Sequence, residues 1–180
     1  MTVIVRETRE TRVRVELTRG SGTATADTGR PFLDHMLVTL ARYSGLDLDV
    51  SARGDLPHHL IEDVAIALGS ALAGLEASTC ARYGSRVVPM DDALVHVALD
   101  VGGRPYYRGP LPSSYYDHWM RSFADHARIT LHVRVLRGQD RHHVIEAAFK
   151  ALGLALRDAL VESGAVFSTK GPVTAGGGGC

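Results

Sequence analysis

The chain has 180 residues, and its twenty basic and twenty acidic side chains cancel to a formal net charge of zero at pH 7. That length suits one ordinary domain or two tightly fused half-domains whose core needs no disulfide, and the balanced charge excludes the electrostatic footprint of a nucleic-acid or membrane-surface binder. Only two cysteines occur, Cys80 and Cys180, and no stretch approaches the roughly 20 apolar residues of a bilayer span, so a reducing cytoplasm and a small ligand are expected.

Val13, Val15 and Leu17 alternate with Arg12, Arg14 and Glu16, which predicts a half-buried strand; the Arg19-Gly20-Ser21-Gly22 turn after it suggests an opening hairpin. Pro31 stands where a helix can begin, and Met36, Leu37, Leu40 and Ala41 recur at helical spacing up to a Ser44-Gly45 stop. Leu46, Leu48 and Val50 read as a second strand, Gly54 to Pro57 as a turn, and Ile61, Ala65, Leu68, Leu72 and Leu75 as one face of a long helix, near whose end Cys80 reads as a small apolar residue. Gly102, Gly103, Pro105, Gly109, Pro110 and Pro112 punctuate a loop region. Around it the plan repeats: a strand at Leu94 to Leu99, a helix at Tyr116 to Ala127, a strand through Ile129, Leu131, Val133 and Val135, and a last helix marked by Ile145, Phe149, Leu152, Leu156 and Leu160.

Sliding the chain on itself by 84 residues makes the repetition explicit. Across residues 53 to 72, eleven of twenty positions are identical to those 84 later, namely Arg53, Gly54, His58, His59, Ile61, Glu62, Ala67, Leu68, Gly69, Ala71 and Leu72. Chance pairing would give about one or two. The expected architecture is therefore α+β with internal duplication: two half-domains, 1–86 and 87–172, each a mixed β-sheet with two helices packed on one face, and a disordered Gly-rich tail at 173–180.

The repeat carries His58-His59-Leu60-Ile61-Glu62 and His142-His143-Val144-Ile145-Glu146. On a helix, residues three apart share a face, so His59 and Glu62 belong together, as do His143 and Glu146, while the preceding histidine of each pair points about 100° away. Neighbouring histidines therefore suit two ions. Imidazoles and carboxylates without cysteine fit Mn, Fe, Zn or Ni and argue against a structural thiolate zinc site. Three histidines and one glutamate per ion would require two more histidines. His35 and His132 are the candidates, whereas His96, His118 and His126 read as packed or solvated rings.

Eighteen arginines accompany only two lysines, Lys150 and Lys170, a skew that genome composition produces, which leaves both lysines either as simple survivors or as positions wanting a compact point charge. These residues fall in segments that resemble imidazoleglycerol-phosphate dehydratases. The segments are Arg6-x-Thr8-x-Glu10-Thr11, Phe32-Leu33-Asp34-His35-Met36-Leu37, the doubled motif, Pro89 to Leu94, Gly103-Arg104-Pro105, Glu146 to Ala151 and Ser168-Thr169-Lys170-Gly171, in family order over nearly the whole chain.

The resemblance implies a lyase of histidine biosynthesis that dehydrates D-erythro-imidazoleglycerol phosphate to imidazole acetol phosphate by way of a metal-stabilised imidazolate. It implies two Mn(II) per active site, one held by His35, His59, Glu62 and His142, the other by His58, His132, His143 and Glu146. Catalytic roles fall to Glu10, the proton-transfer residue, and to His58, Glu62, His142 and Glu146; Glu10, Arg82, Arg104, Lys150, Ser168, Thr169 and Lys170 are implied to contact the phosphorylated imidazole substrate. A homo-oligomer of 24 subunits, with metal sites completed between neighbours, is also implied. The loop before His58 is shorter than the family's usual one, which carries an Asp just ahead of the histidines. Two other readings of the residues are a different dimetal enzyme, oxygen-activating or hydrolytic, and a metal-assembled structural shell.

Overall fold

The structure, a computed structural model, describes residues 1–75 and 79–164. The expected 173–180 tail and Ser168, Thr169 and Lys170 lie outside the described residues. Among the described residues no helix is long and apolar enough to cross a membrane.

The first half runs β1 (Thr2–Glu7), β2 (Thr11–Arg19), β3 (Ala24–Asp27), α1 (Pro31–Ser44), β4 (Leu46–Gly54) and α2 (Pro57–Ala73). The second runs β5 (Tyr83–Met90), β6 (Ala93–Asp100), β7 (Tyr106–Arg108), α3 (Ser114–Ala127), β8 (Thr130–Arg137) and α4 (Arg141–Ala159). Each half forms one four-stranded mixed sheet of identical plan, β1-β2-β4-β3 and β5-β6-β8-β7. In both sheets the fourth strand joins in parallel and the other pairings are antiparallel. The duplicated α+β architecture is the one expected. The second sheet opens at Tyr83, however, so the halves divide ahead of β5 and not at 86/87.

Alternation sends Val13, Val15 and Leu17 of β2, Leu48 and Val50 of β4, Val95 and Val97 of β6, and Leu131 and Val133 of β8 to the buried face of their sheets. A hairpin does open the fold, but β1 and β2 make it through the Thr8–Glu10 turn. The turn after β2 leads instead to a strand paired in parallel with β4. There the Asp47 carboxylate accepts from the amides of Ser21, Gly22 and Thr23 at 2.9, 3.0 and 2.8 Å, and Gly22 adopts a left-handed φ of 87°. Those bonds fold the loop over β4 and carry β3 past it to the far edge.

Helix ends follow local chemistry. Pro31 and Pro57 sit in the first helical positions of α1 and α2, where the missing N–H costs nothing, and Gly45 ends α1 in the left-handed region. Asp140 caps α4 by accepting from the His142 amide at 2.8 Å. Cys80 is buried as expected, but in an isolated bridge to Glu162 and not on a helix.

The four helices lie on the inner faces of the two sheets and pack across the halves, α2 against α3 and α1 against α4. Small repeat mates permit this. A Cβ added to Gly69 would lie 2.6 Å from the Phe123 carbonyl oxygen and 2.9 Å from the Ala127 nitrogen; one added to Gly153 would lie 3.0 Å from the Leu40 carbonyl oxygen and 2.7 Å from Tyr43 Cβ. Trp119, Phe123 and Phe149, all fully buried, fill the space between, with Trp119 stacked on Phe123 at 5.1 Å and tilted against Phe149 at 4.7 Å.

Because the atoms facing Gly69 are backbone, they cannot swing aside. Gly69→Ala should therefore lower stability by about 1–3 kcal/mol despite its better helix propensity. A fall in the thermal midpoint measured by calorimetry checks this, and an unchanged or raised midpoint contradicts it.

Candidate active site

The helix crossing brings His35 and His118 into play. Each is the fifth residue of a fourteen-residue helix, α1 or α3. In each helix the aspartate just before the histidine ties down the segment ahead of it: Asp34 Oδ1 accepts from the Thr28 amide and hydroxyl at 2.9 and 2.7 Å, and Asp117 Oδ1 accepts from the Tyr107 hydroxyl and the Leu111 amide at 2.6 and 2.9 Å.

Three groups of histidines and carboxylates have ligand atoms within 4.8 Å of one another: His35 with His142 and Glu146; His58 with Glu62 and His118; and Glu10 with Asp55 and His59. In the first, Glu146 Oε2 lies 3.4 Å from His35 Nε2 and 3.2 Å from His142 Nε2, while Lys150 Nζ holds Oε1 at 2.9 Å. Burial pushes the Glu146 carboxyl up, but the Lys150 ammonium and the His35 ring outweigh it and hold the group below its ordinary range. The Phe32 ring, 5.0 Å from that of His142, walls this cluster.

In the second group, Glu62 Oε1 is 3.1 Å from His118 Nε2 and Oε2 is 3.7 Å from His58 Nε2. The two rings lie 5.0 Å apart, with Tyr115 6.1 Å from His58. His118 Nε2 is buried and, despite Glu62 at 3.1 Å, has no aligned hydrogen-bond partner among the described residues. A buried ring nitrogen and a carboxylate oxygen that converge without an aligned hydrogen bond are a donor pair that a cation can use. The donor set of neutral imidazoles and carboxylates thus fits a divalent transition metal in both clusters.

Two expectations are corrected here. Glu62 and Glu146 meet the histidines four residues earlier, His58 and His142, and not those three earlier. Four residues advance a helix about 40° past a full turn and three fall about 60° short, so both spacings are near neighbours; the glutamates turn toward α3 and α1, and the earlier histidine faces the same way. Within the chain the grouping His35, His59, Glu62 and His142 is therefore not formed, nor is His58, His132, His143 and Glu146. His118, read as packed or solvated, takes the place assigned to His132. His132 lies on the exposed face of β8, its ring 5.6 Å from Tyr106, on the side of the sheet away from the helices. The missed signal is the offset of 83, which aligns Phe32-Leu33-Asp34-His35 with Tyr115-Tyr116-Asp117-His118. His96 accordingly sits with Ser85 at 2.8 Å, and His126 with the Ser122 carbonyl at 2.9 Å.

The other member of each pair is oriented by carboxylates. His59 Nδ1 is 3.0 Å from Asp55 Oδ1 and 3.4 Å from Glu10 Oε2; His143 Nδ1 is 2.7 Å from Asp92 Oδ1, and its Nε2 comes within 3.4 Å of Asp91. The bond to Asp55 raises the His59 pKa and that to Asp92 raises the His143 pKa. A carboxylate on Nδ1 fixes the tautomer and leaves Nε2 to face a ligand. Despite the shortened loop before His58, Asp55 supplies this carboxylate.

Of the remaining predicted residues, Arg82 makes a two-point ion pair with Asp100 at 2.6 and 2.9 Å. The Arg104 carbonyl accepts from the Thr130 hydroxyl at 3.0 Å, and Lys150 engages Glu146 as described.

A model described as imidazoleglycerol-phosphate dehydratase matches residues 28–156. The chain is 50% identical to the imidazoleglycerol-phosphate dehydratase of Pyrobaculum calidifontis, covering 92% of this chain and 96% of that protein; with that of Methanothermobacter thermautotrophicus the identity is 48%, over 92% and 94%. The crystal structure of the Pyrococcus furiosus enzyme superposes with a TM-score of 0.86 at 39% identity, covering 94% of this chain and 100% of that one. The Staphylococcus aureus enzyme gives 0.80 at 32%, over 89% and 98%. Fold and relatives define a hydro-lyase built on a duplicated α+β domain. The chain belongs to the imidazoleglycerol-phosphate dehydratase family, which acts in histidine biosynthesis.

Asp92 gives a pH prediction. The Gln139 amide, the His143 ring and the Asp140 amide hold its carboxyl down to about 2. A depressed carboxylate contributes stability that is present above its unfolded value, about 4, and lost as pH falls through the folded one. Asp92→Asn should therefore be less stable than the parent at pH 5, with the gap closing between about pH 4 and pH 2 in urea-unfolding curves; a gap constant over that range would contradict the assignment.

Proposed function

We propose that this chain removes water from D-erythro-imidazoleglycerol phosphate, giving imidazole acetol phosphate, at a centre of two divalent ions, and that the physiological ion is Mn(II). The observation that carries the reading is the convergence of the duplicated motif, with His35 and His118, into two three-ligand clusters. His35, His142 and Glu146 would hold one ion and His58, Glu62 and His118 the other. His59 and His143, locked by Asp55 and Asp92 with Nε2 as the remaining ligand atom, would complete the sites of neighbouring copies in a 24-subunit assembly. This reading keeps all the predicted ligands except His132.

When bound, the ions supply Lewis acidity and a template that favour the deprotonated, imidazolate form of the substrate ring. The carbon-bound proton to be removed lies beside no carbonyl, so electrons must be taken up by the ring. Glu10, against His59 and largely exposed, is the group for proton transfer at the side chain. Lys150, Arg82, Arg104, Ser168, Thr169 and Lys170 offer the charges and donors a phosphate dianion requires. Lys150 would then serve both the Glu146 carboxylate and the phosphate. Such a step in amino-acid biosynthesis belongs in the cytoplasm.

The decisive assay incubates metal-loaded protein with imidazoleglycerol phosphate and measures imidazole acetol phosphate; no product from folded, metal-bound protein would leave the other dimetal enzyme or the structural shell. Glu146→Gln should lose metal by elemental analysis together with at least 100-fold in kcat, whereas Lys170→Ala should keep its metal and raise KM about tenfold. Equal metal loss in both variants contradicts these roles.

A further inference from the structure

Asp63 is a carboxylate only 8% exposed that neither cluster uses, although it follows Glu62 directly. It accepts from Arg6 Nε at 2.8 Å and from the hydroxyl of buried Thr11. Thr11 continues the chain: its Oγ1 is 3.1 Å from that of Thr8, and Thr8 Oγ1 accepts from the amides of Glu10 and Thr11 at 3.1 and 3.0 Å. The Glu10 carbonyl in turn accepts from the Asp55 amide at 3.1 Å. The hairpin turn bearing Glu10 is thus stitched by hydroxyls to α2, one turn beyond His59, the ring that Glu10 faces.

The duplication supplies an internal control. The corresponding turn of the second half, Met90 to Ala93, presents Asp92, whose carboxylate is engaged by His143 and the amides of Gln139 and Asp140. That carboxylate needs no remote anchor because it is held directly, and the repeat mate of Asp63 is Ala147. In the first half Asp55 orients the histidine, and Glu10 is left with its side chain 56% exposed and, among the described residues, with His59 Nδ1 at 3.4 Å as its side-chain contact. A carboxylate released from structural duty keeps its aim only if its backbone is fixed from elsewhere.

We propose that Asp63 is a positioning residue for Glu10, acting through Thr11 and Thr8 to hold the Glu10 turn against the helix that carries His58, His59 and Glu62. This rests on the reading of Glu10 as the proton-transfer group. Misplacement of a reacting group by about 1 Å can cost about 100-fold in rate.

Metal-loaded full-length variants test it by kcat, KM and metal content. Asp63→Ala should lower kcat 10- to 100-fold with KM and bound metal unchanged, and Asp63→Asn, which keeps an acceptor for Thr11, should recover most of that loss. Thr11→Val, which leaves the Arg6–Asp63 pair in place, should reproduce the kcat defect, so the inference is decided even if Asp63→Ala does not fold. On the residual turnover of Glu10→Gln, adding Thr11→Val should cost less than twofold, because an effect transmitted through Glu10 has nothing left to act on. Full activity in Thr11→Val, or an equal loss with and without Glu10, overturns the positioning role. Full activity in Glu10→Gln instead overturns the reading of Glu10, a different result from failure of its anchor.

Discussion

Two helix crossings, α2 on α3 and α1 on α4, set the distances on which both clusters depend. Each crossing joins one half of the chain to the other, and each approaches closely at a glycine that occupies the same place in the repeat, Gly69 or Gly153. Backbone atoms and Cβ atoms face those glycines, so the approach is fixed by covalent geometry and not by side-chain rotamers. Histidine and glutamate reach one another only because of that closeness: His118 of α3 meets Glu62 of α2, and His35 of α1 meets Glu146 of α4. The sheets contribute the platforms that keep each helix from rotating.

The duplication was legible because its densest copy lies on α2 and α4, where apolar periodicity and the motif coincide. Strands with one dry face, β2, β4, β6 and β8, were legible for the same reason. β1 was not: Val3 and Val5 point outward and break the alternation that marks a buried face. β7 is three residues long among glycines and prolines, and β3 is four residues placed by the capture of loop amides at Asp47, an interaction no local pattern announces. The residues of the proposed metal site divide similarly. His58, His59, Glu62, His142, His143 and Glu146 announce themselves by repetition, but His118 against His132 is a question of which side of a sheet faces the helices. Polar alternation on β8 is equally compatible with facing solvent, which is where His132 points.

The two copies differ in the carboxylates and cations around their clusters while sharing the His-His-x-x-Glu residues. Lys150 neutralises Glu146, whereas its repeat mate is Ile66, and among the described residues Glu62 pairs with the imidazoles of His58 and His118. Asp92 secures His143, while Asp55 does that work for His59 and leaves Glu10 on the surface. The two clusters are alike in their converging histidines and glutamate and unlike in the charge beside them.

The reciprocal crossing has a consequence for ancestry. A solitary half would carry its His-His-x-x-Glu helix and its Asp-His helix without bringing the two together, because each helix finds its counterpart in the other half. The contact is that of a twofold dimer, in which one surface meets a copy of itself in exchanged order. A single-half precursor would have had to pair to assemble even one cluster, and pairing would have yielded two at once. Joining the copies in one polypeptide preserved that twinned arrangement while removing the requirement that both members stay identical.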